Sequence, residues 1–418
     1  MRGTELPLVS ALPFLVLLLV IAFAPLIAPR WWHHNRNKAL IAALVSLPVL
    51  IYFGSSVEGR HLLAEKALEY LGFIVVIAAL FVISGGIHIQ GSLAGTPLVN
   101  TAMLGIGAVL ANLAGTTGAS VLLIRPLLRA NKARKRVAHL VIFFIFIVAN
   151  CGGLLTPVGD PPLLLGFLRG VPFSWTLQLW PQWLLVNGVL LVIFNVWDRW
   201  ALNKDERELP GSQHEAVLIH EPLEIKGALP ILALLLVIVS IVLAWPAWVV
   251  AVLGVLGYLA GSAELRTKNE FAFGPIVEVA VLFAAIFVTM APMLEILNVH
   301  APQLGVRTPA QFFWSTGALS SVLDNAPTYL AFASAAAGLQ NIPPHGAYIG
   351  MIDPQLLAAI STGAVFMGAN TYIGNAPNFM VKAIAEERGV RMPSFFGYLA
   401  YSIGILLPLF IAVSIVFF

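Results

Sequence analysis

An all-α polytopic membrane protein made of two inverted repeats is the fold class this sequence predicts, and three observations predict it. Hydrophobic residues fill 59% of the 418 positions and charged residues only 10%, with a mean hydropathy of +0.90. Soluble domains carry about a quarter charged residues, so lipid must be the solvent for most of this chain. The second observation is an internal repeat: residues 11–21 read ALPFLVLLLVI and residues 228–238 read ALPILALLLVI. The third is a one-sided distribution of Lys and Arg once the crossings are counted.

A helix needs about 20 apolar residues to cross the hydrocarbon core. Apolar runs lie near 8–28, 39–54, 71–89, 137–168 and 176–198, and a second set near 228–245, 247–263, 276–297, 354–381 and 395–418. The first run also has the outline of a signal peptide, with Arg2 ahead of it, but its match to 228–238 makes it the first transmembrane helix. Two extra apolar stretches, 97–128 and 308–337, are interrupted by Asn112-Leu-Ala-Gly-Thr-Thr-Gly118 and Asp324-Asn325-Ala-Pro-Thr328. A polar break at mid-stretch suits a re-entrant hairpin, and two short spanning helices are the alternative.

Hairpins do not change sides, so each half crosses five times, and an odd number turns the second half upside down. With both termini outside, 18 of the 23 Lys and Arg fall on the inner side, among them Arg125, Arg129, Lys132, Arg134, Lys135 and Arg136. That asymmetry agrees with the positive-inside rule and with the cytoplasmic membrane of a cell. The expected division is a first repeat over 1–198 (hairpin 97–128, broken helix 137–168), a charged cytoplasmic linker over 199–227 containing Pro210-Gly211, and a second repeat over 228–418 (hairpin 308–337, broken helix 354–381). The linker reads as a solvated connector.

The fourth crossing of each half breaks in the same way. Gly153-Leu-Leu-Thr156-Pro-Val-Gly159-Asp160-Pro-Pro162 and Gly368-Ala-Asn-Thr371-Tyr-Ile-Gly374-Asn375-Ala-Pro377 both fit G-x-x-T-x-x-G-[DN]-x-P. The hairpin tips align as Val109-Leu-Ala-Asn112 against Val322-Leu-Asp-Asn325. Glycine and proline free backbone groups that lipid cannot satisfy, so such breaks survive only where protein, water or a bound solute supplies partners. The breaks should therefore meet and surround one site, with half-helix ends aimed at it.

The side chains expected there are oxygen donors: Asn112, Thr116, Thr117, Thr156, Asp160, Asp324, Asn325, Thr328, Asn370, Thr371, Asn375 and Asn378. Asp160 and Asp324 are the carboxylates, one from each half, and are the candidates to hold Na⁺ or a proton. Capping is the bland reading of both, and a cap facing a cavity is also a ligand. For the Thr and Asn residues the bland reading is interhelical packing. Glu278 and Glu295 flank the eighth crossing and His88 ends the third, with interface or loop roles expected ahead of a proton path. The Arg125–Arg136 run reads as a topology anchor touching anionic lipid, with Arg125 meeting an anionic substrate as the less favoured use.

Cys151 is the single cysteine, which excludes an intrachain disulfide and a cysteine metal site. No Walker loop, nucleotide fingerprint or zinc-type spacing is present, and no nucleophile–base–orienter set stands out, so neither an ATP-driven pump nor an enzyme is expected. A formal net charge of +3 gives no reason to expect a nucleic-acid partner.

On its paired hairpins and broken helices the chain resembles the ion transporter superfamily, which includes D-type sodium/proton antiporters, arsenite permeases, citrate transporters and divalent-anion/sodium symporters. Asn112-Leu-Ala-Gly-Thr-Thr-Gly-Ala-Ser120 and Ser320-Ser-Val-Leu-Asp-Asn-Ala-Pro-Thr328 look most like the antiporter and citrate-transport branches. The Ser-Asn-Thr tips of the divalent-anion branch are absent. The resemblance implies a homodimer in which the site-bearing parts move against a scaffold. The expected activity is Na⁺/H⁺ (monovalent cation/proton) antiport by alternating access. The alternative is transport of citrate or a similar organic anion coupled to cations, with arsenite efflux third. Partners are the bilayer and a small ion or organic anion. No resident cofactor is expected, Na⁺ and H⁺ being cargo or coupling ions.

Overall fold

The computed structural model describes residues 6–208 and 221–418; Arg2 and Pro210-Gly211 lie outside the described residues. It is a helical membrane protein. Eight helical stretches among the described residues are long and apolar enough to cross a bilayer: Leu8–Ile27, Asn35–Gly54, Val57–Ser84, Pro97–Ala130, Ala138–Leu155, Phe173–Arg207, Gly274–Gln303 and Phe395–Phe417. Ala228–Val242 and Ala247–Ala260 are shorter apolar helices.

Burial sorts these elements into a jacket and a centre. Leu8–Ile27, Asn35–Gly54 and Phe395–Phe417 turn most of their residues outward, with large apolar side chains such as Ile27, Leu44, Phe396 and Ile415 exposed. Exposed apolar helices around a polar interior are what a lipid solvent selects. In contrast, 89% of the most apolar window of Ala138–Leu155 is buried. That stretch, the two interrupted apolar segments and the second broken helix form the core that the jacket encloses.

Pro97–Ala130 is two helical arms that turn back at Gly115 (φ 75, ψ 157), where the Thr116 N–H donates out of the helix to the Gly159 carbonyl at 2.8 Å. The reversal is visible at both depths of the pair. Asn100 and Asn131 exchange side-chain hydrogen bonds of 2.9 and 2.8 Å, and a Cβ on Gly107 would lie 3.1 Å from Leu123. A straight helix would hold the two asparagines more than about 40 Å apart. The second hairpin is Pro309–Ser320 followed by Asn325–Leu339, with Phe312 and Phe332 facing across its arms at 6.3 Å. Thr96 and Thr308 cap the two hairpins, each immediately before a proline at the first helical position.

Both broken helices are resolved into pieces. The first comprises Ala138–Ile147, a 3₁₀ turn Cys151–Leu155 and Pro161–Leu168; the second comprises Pro354–Met367, a turn Gly368–Asn370 and Ala376–Glu387.

Two sequence expectations need correction. The chain is not wholly helical, because His88–Ser92 and Glu221–Lys226 pair as an antiparallel two-stranded ribbon. The segment 199–227 is consequently no plain connector. Its start belongs to the helix Trp180–Glu208 and its end is a strand docked on the first half. Backbone groups at that end find partners in the ribbon, a pairing no local pattern announces.

Candidate functional site

The shared motif forms the same loop twice. In the first copy a Cβ on Gly159 would fall 2.1 Å from the carbonyl oxygen of Gly153, and in the second a Cβ on Gly374 would fall 2.6 Å from that of Gly368. The two glycines of each motif therefore touch backbone to backbone, which only glycine allows. The threonine between them fastens the loop to a hairpin. Thr156 Oγ1 donates to the Asn112 carbonyl and Thr371 Oγ1 to the Ser321 carbonyl, both at 2.5 Å.

These bonds correct the alignment of the hairpin tips. Asn112 corresponds to Ser321 and Thr116 to Asn325, one helical turn away from the pairing of Asn112 with Asn325 that the sequence suggests. Each tip carries one asparagine with apolar residues on either side, so the sequence match had no way to fix the register by itself.

Asp160 sits at the centre, only 1% exposed. Its Oδ1 accepts from Thr116 Oγ1 at 2.8 Å and from Asn375 Nδ2 at 3.1 Å, and its Oδ2 accepts from Asn325 Nδ2 at 2.6 Å. Two of those three donors come from the C-terminal half of the chain. Asn150 extends the network: its Oδ1 accepts from Asn375 Nδ2 at 3.2 Å and its Nδ2 donates to Asn378 Oδ1 at 2.7 Å. Asn378 in turn donates to the carbonyls of Gly368 and Thr371, both at 2.9 Å.

Each of these residues stands at a helix start. Asp160 precedes Pro161–Leu168, Asn375 precedes Ala376–Glu387, and Asn325 opens Asn325–Leu339. Thr116 follows the break at Gly115 and opens the second arm of the first hairpin. Four helix N-termini thus converge on one buried carboxylate, each carrying roughly half a positive charge. Pro161, Pro162, Pro327 and Pro377 occupy the first turns, where the missing N–H removes donors that would otherwise need partners.

The other expected residues separate by what their polar atoms do. Asn112 is buried and committed to the fold, with Nδ2 on the carbonyls of Ala108 and Gly152 and Oδ1 accepting from the Leu155 N–H. Thr328 donates to the Asp324 carbonyl at 2.9 Å and Asn370 to Ser321 Oγ at 2.8 Å. Thr117 is half-buried beside the first tip. Asp324 caps the second hairpin arm through the Ala326 N–H at 3.0 Å and stays partly exposed, adjoining the cluster through Asn325. Asn325 Oδ1 is buried with no hydrogen-bond partner among the described residues, and its residue contacts Asp160.

Sequence reasoning missed Asn150 and Ser321. Asn150 closes the apolar run VIFFIFIVAN, and a buried amide at the end of such a run was the available signal. Ser321 has no distinguishing pattern.

The peripheral candidates have local partners. Glu278 pairs with the buried Lys38 at 2.7 Å, Glu295 with His345 at 3.3 Å, and His88 Nδ1 contacts Asn269 Oδ1 at 2.7 Å. Arg125 pairs with Glu270 at 3.0 Å, which also holds Arg388 at 2.8 Å.

Comparison with known proteins supplies the family. A family model described as "Putative citrate transport" matches residues 3–418. The chain belongs to that citrate-transport family. No curated protein matches the chain. The family is one of transporters, in accord with a multi-pass membrane protein carrying a buried polar site.

Proposed function

We propose that this member of the citrate-transport family moves citrate or a similar multivalent organic anion, coupled to cations, by alternating access. The observation that carries the reading is the convergence of four helix N-termini and the amides of Asn325 and Asn375 on a buried site. Those groups offer positive potential to an anion, and Asp160 offers a negative group to a co-transported Na⁺ or proton. Cation binding at Asp160 would cancel its charge and leave the electropositive frame for the anion, which is the physical basis for coupling.

Cation/proton antiport is the second reading, favoured by the three neutral side-chain partners of Asp160. The family match gives the anion reading priority. Inverted repeats, ten crossings and two re-entrant hairpins belong to the same proposal. They are supported by the duplicated motif and its duplicated fastening through Thr156 and Thr371, and the basic asymmetry supports a cytoplasmic membrane with both termini outside. A homodimer remains part of the proposal on the resemblance alone.

The test is transport in liposomes containing a pH-sensitive dye. Labelled citrate should accumulate when a Na⁺ or proton gradient is imposed, and should stop doing so in Asp160→Asn. Gradient dissipation by Na⁺ or Li⁺ with no citrate uptake would overturn the anion reading in favour of antiport.

A further inference from the structure

A cavity of about 1710 Å³ opens where the first hairpin ends. One wall is the turn after that hairpin, with Arg129, Lys132, Arg134, Lys135 and Arg136; the facing wall carries Arg388 and Arg391. No Asp or Glu is among the described residues that line it. Its edge carries Trp197, Trp200 and Tyr401, the aromatic types that settle at a membrane–water boundary.

Two acids of this region, Asp198 and Asp205, have buried side chains behind the basic walls, and Glu270 is exposed. Asp198 holds Arg134 and Asp205 holds Arg136, both at 2.5 Å, and Glu270 holds Arg388 at 2.8 Å. Arg129 donates to the Ile89 carbonyl of the ribbon at 2.5 Å. The basic side chains are thereby anchored in place, while Lys132 and Arg391 are exposed and make no ion pair among the described residues.

Helices link this cavity to the polar cluster. The second arm of the first hairpin runs from Thr116 at Asp160 to Arg129 and Ala130 at the cavity, a span of about 20 Å. The helix Ala376–Glu387 runs from Asn375 at Asp160 to Arg388. A topology anchor alone needs basic residues anywhere on the inner face. It does not need six of them, beside the buried Arg134, around one concavity at the far ends of the helices that form the site.

We propose that this cavity is an anion vestibule that captures a multivalent carboxylate from solution before it reaches the Asp160 cluster. The inference rests on the anion reading above. A concave wall of one sign focuses potential and raises the local concentration of oppositely charged solutes, an effect that salt weakens. It acts on KM and leaves the transport step itself alone.

The experiment compares the native protein with the double variant Lys132→Gln/Arg391→Gln, whose targets are exposed and so leave the fold intact. Labelled citrate transport is measured over a range of ionic strength, in liposomes of neutral lipid and in liposomes containing acidic lipid. The expected result is a native KM that climbs steeply with salt, and a variant KM raised about fivefold at low salt with a flattened salt dependence, in both lipids, at unchanged maximal rate. Citrate transport with the same KM and salt slope in both proteins would overturn the vestibule and leave the function standing. A shift seen only with acidic lipid would also overturn it, assigning the cavity to lipid headgroups. Absence of citrate transport by the native protein would overturn the functional reading and the vestibule with it.

Discussion

Asp160 accepts three side-chain hydrogen bonds from neutral donors within a buried network, so its charge is held by dipoles and not by a counter-charge. Asp160→Asn keeps the shape but places an NH₂ opposite at least one of Thr116, Asn325 and Asn375, all of which donate. Transport should fall by two orders of magnitude or about that, since coupling needs the carboxylate. Flux assays check this, alongside a thermal melt showing that the variant remains folded. Gly115 is a different kind of residue. Its φ of 75 with ψ of 157 lies in a region that essentially only glycine occupies, and Gly115→Ala should cost about 1–3 kcal/mol. Gly159→Ala should cost more, because its Cβ would collide with the Gly153 carbonyl at 2.1 Å, and backbone cannot step aside as a side chain can. Thermal unfolding in detergent would order the two.

At the scale of elements, the open end of the first hairpin is closed by charge. Arg134 and Asp198 have fully buried side chains; Asp198 also takes the ring nitrogen of His139 at 2.7 Å and the amide of Asn100 at 2.9 Å. This ties the hairpin to Trp180–Glu208, beside the hydrogen bonds of Asn195 to Thr101 Oγ1 and the Pro97 carbonyl. Asp198→Asn leaves Arg134 buried without its counter-ion, which should destabilise the protein by roughly 3–5 kcal/mol. The pair variant Arg134→Met/Asp198→Leu should recover much of that loss. The measurement is the fraction of monodisperse protein surviving a temperature series. Recovery no better than the single variant would mean that the pair does more than close the hairpin.

For the whole molecule, the arrangement of crossings is the matter to test. Cys151 is fully buried, so the native chain gives a low background for thiol labelling. Arg60→Cys should react with an impermeant maleimide in intact cells, while Lys132→Cys and Arg391→Cys should react only after permeabilisation. Labelling of all three from one side would overturn the proposed inversion of the second half. The ribbon deserves the same approach. Gln90 pairs with Glu224 across the strands, so Gln90→Cys with Glu224→Cys should form a disulfide under oxidation, tying the segment before the first hairpin to the end of the linker.

The helical membrane class, the polar breaks in the two extra apolar stretches and in the fourth crossings, and the residue types at those breaks were legible in the sequence alone. Each follows from a local rule: apolar length for crossing, Gly and Pro for breaking, polar residues where lipid is excluded. The duplicated G-x-x-T-x-x-G-[DN]-x-P motif was legible because its glycines and threonine are needed in both copies to fold one loop. Only the tertiary structure decided which oxygen donors reach Asp160, that Asn112, Thr156 and Thr371 fasten the loops, that Asn150 joins the network, and that Thr116 and not Asn112 matches Asn325. The ribbon between His88–Ser92 and Glu221–Lys226 was equally beyond reach. The reason is the same in each case. These partners lie 43 to more than 200 residues apart along the chain, and a hydrogen bond's direction and length are set by how packed helices rotate against one another, which composition and spacing do not encode.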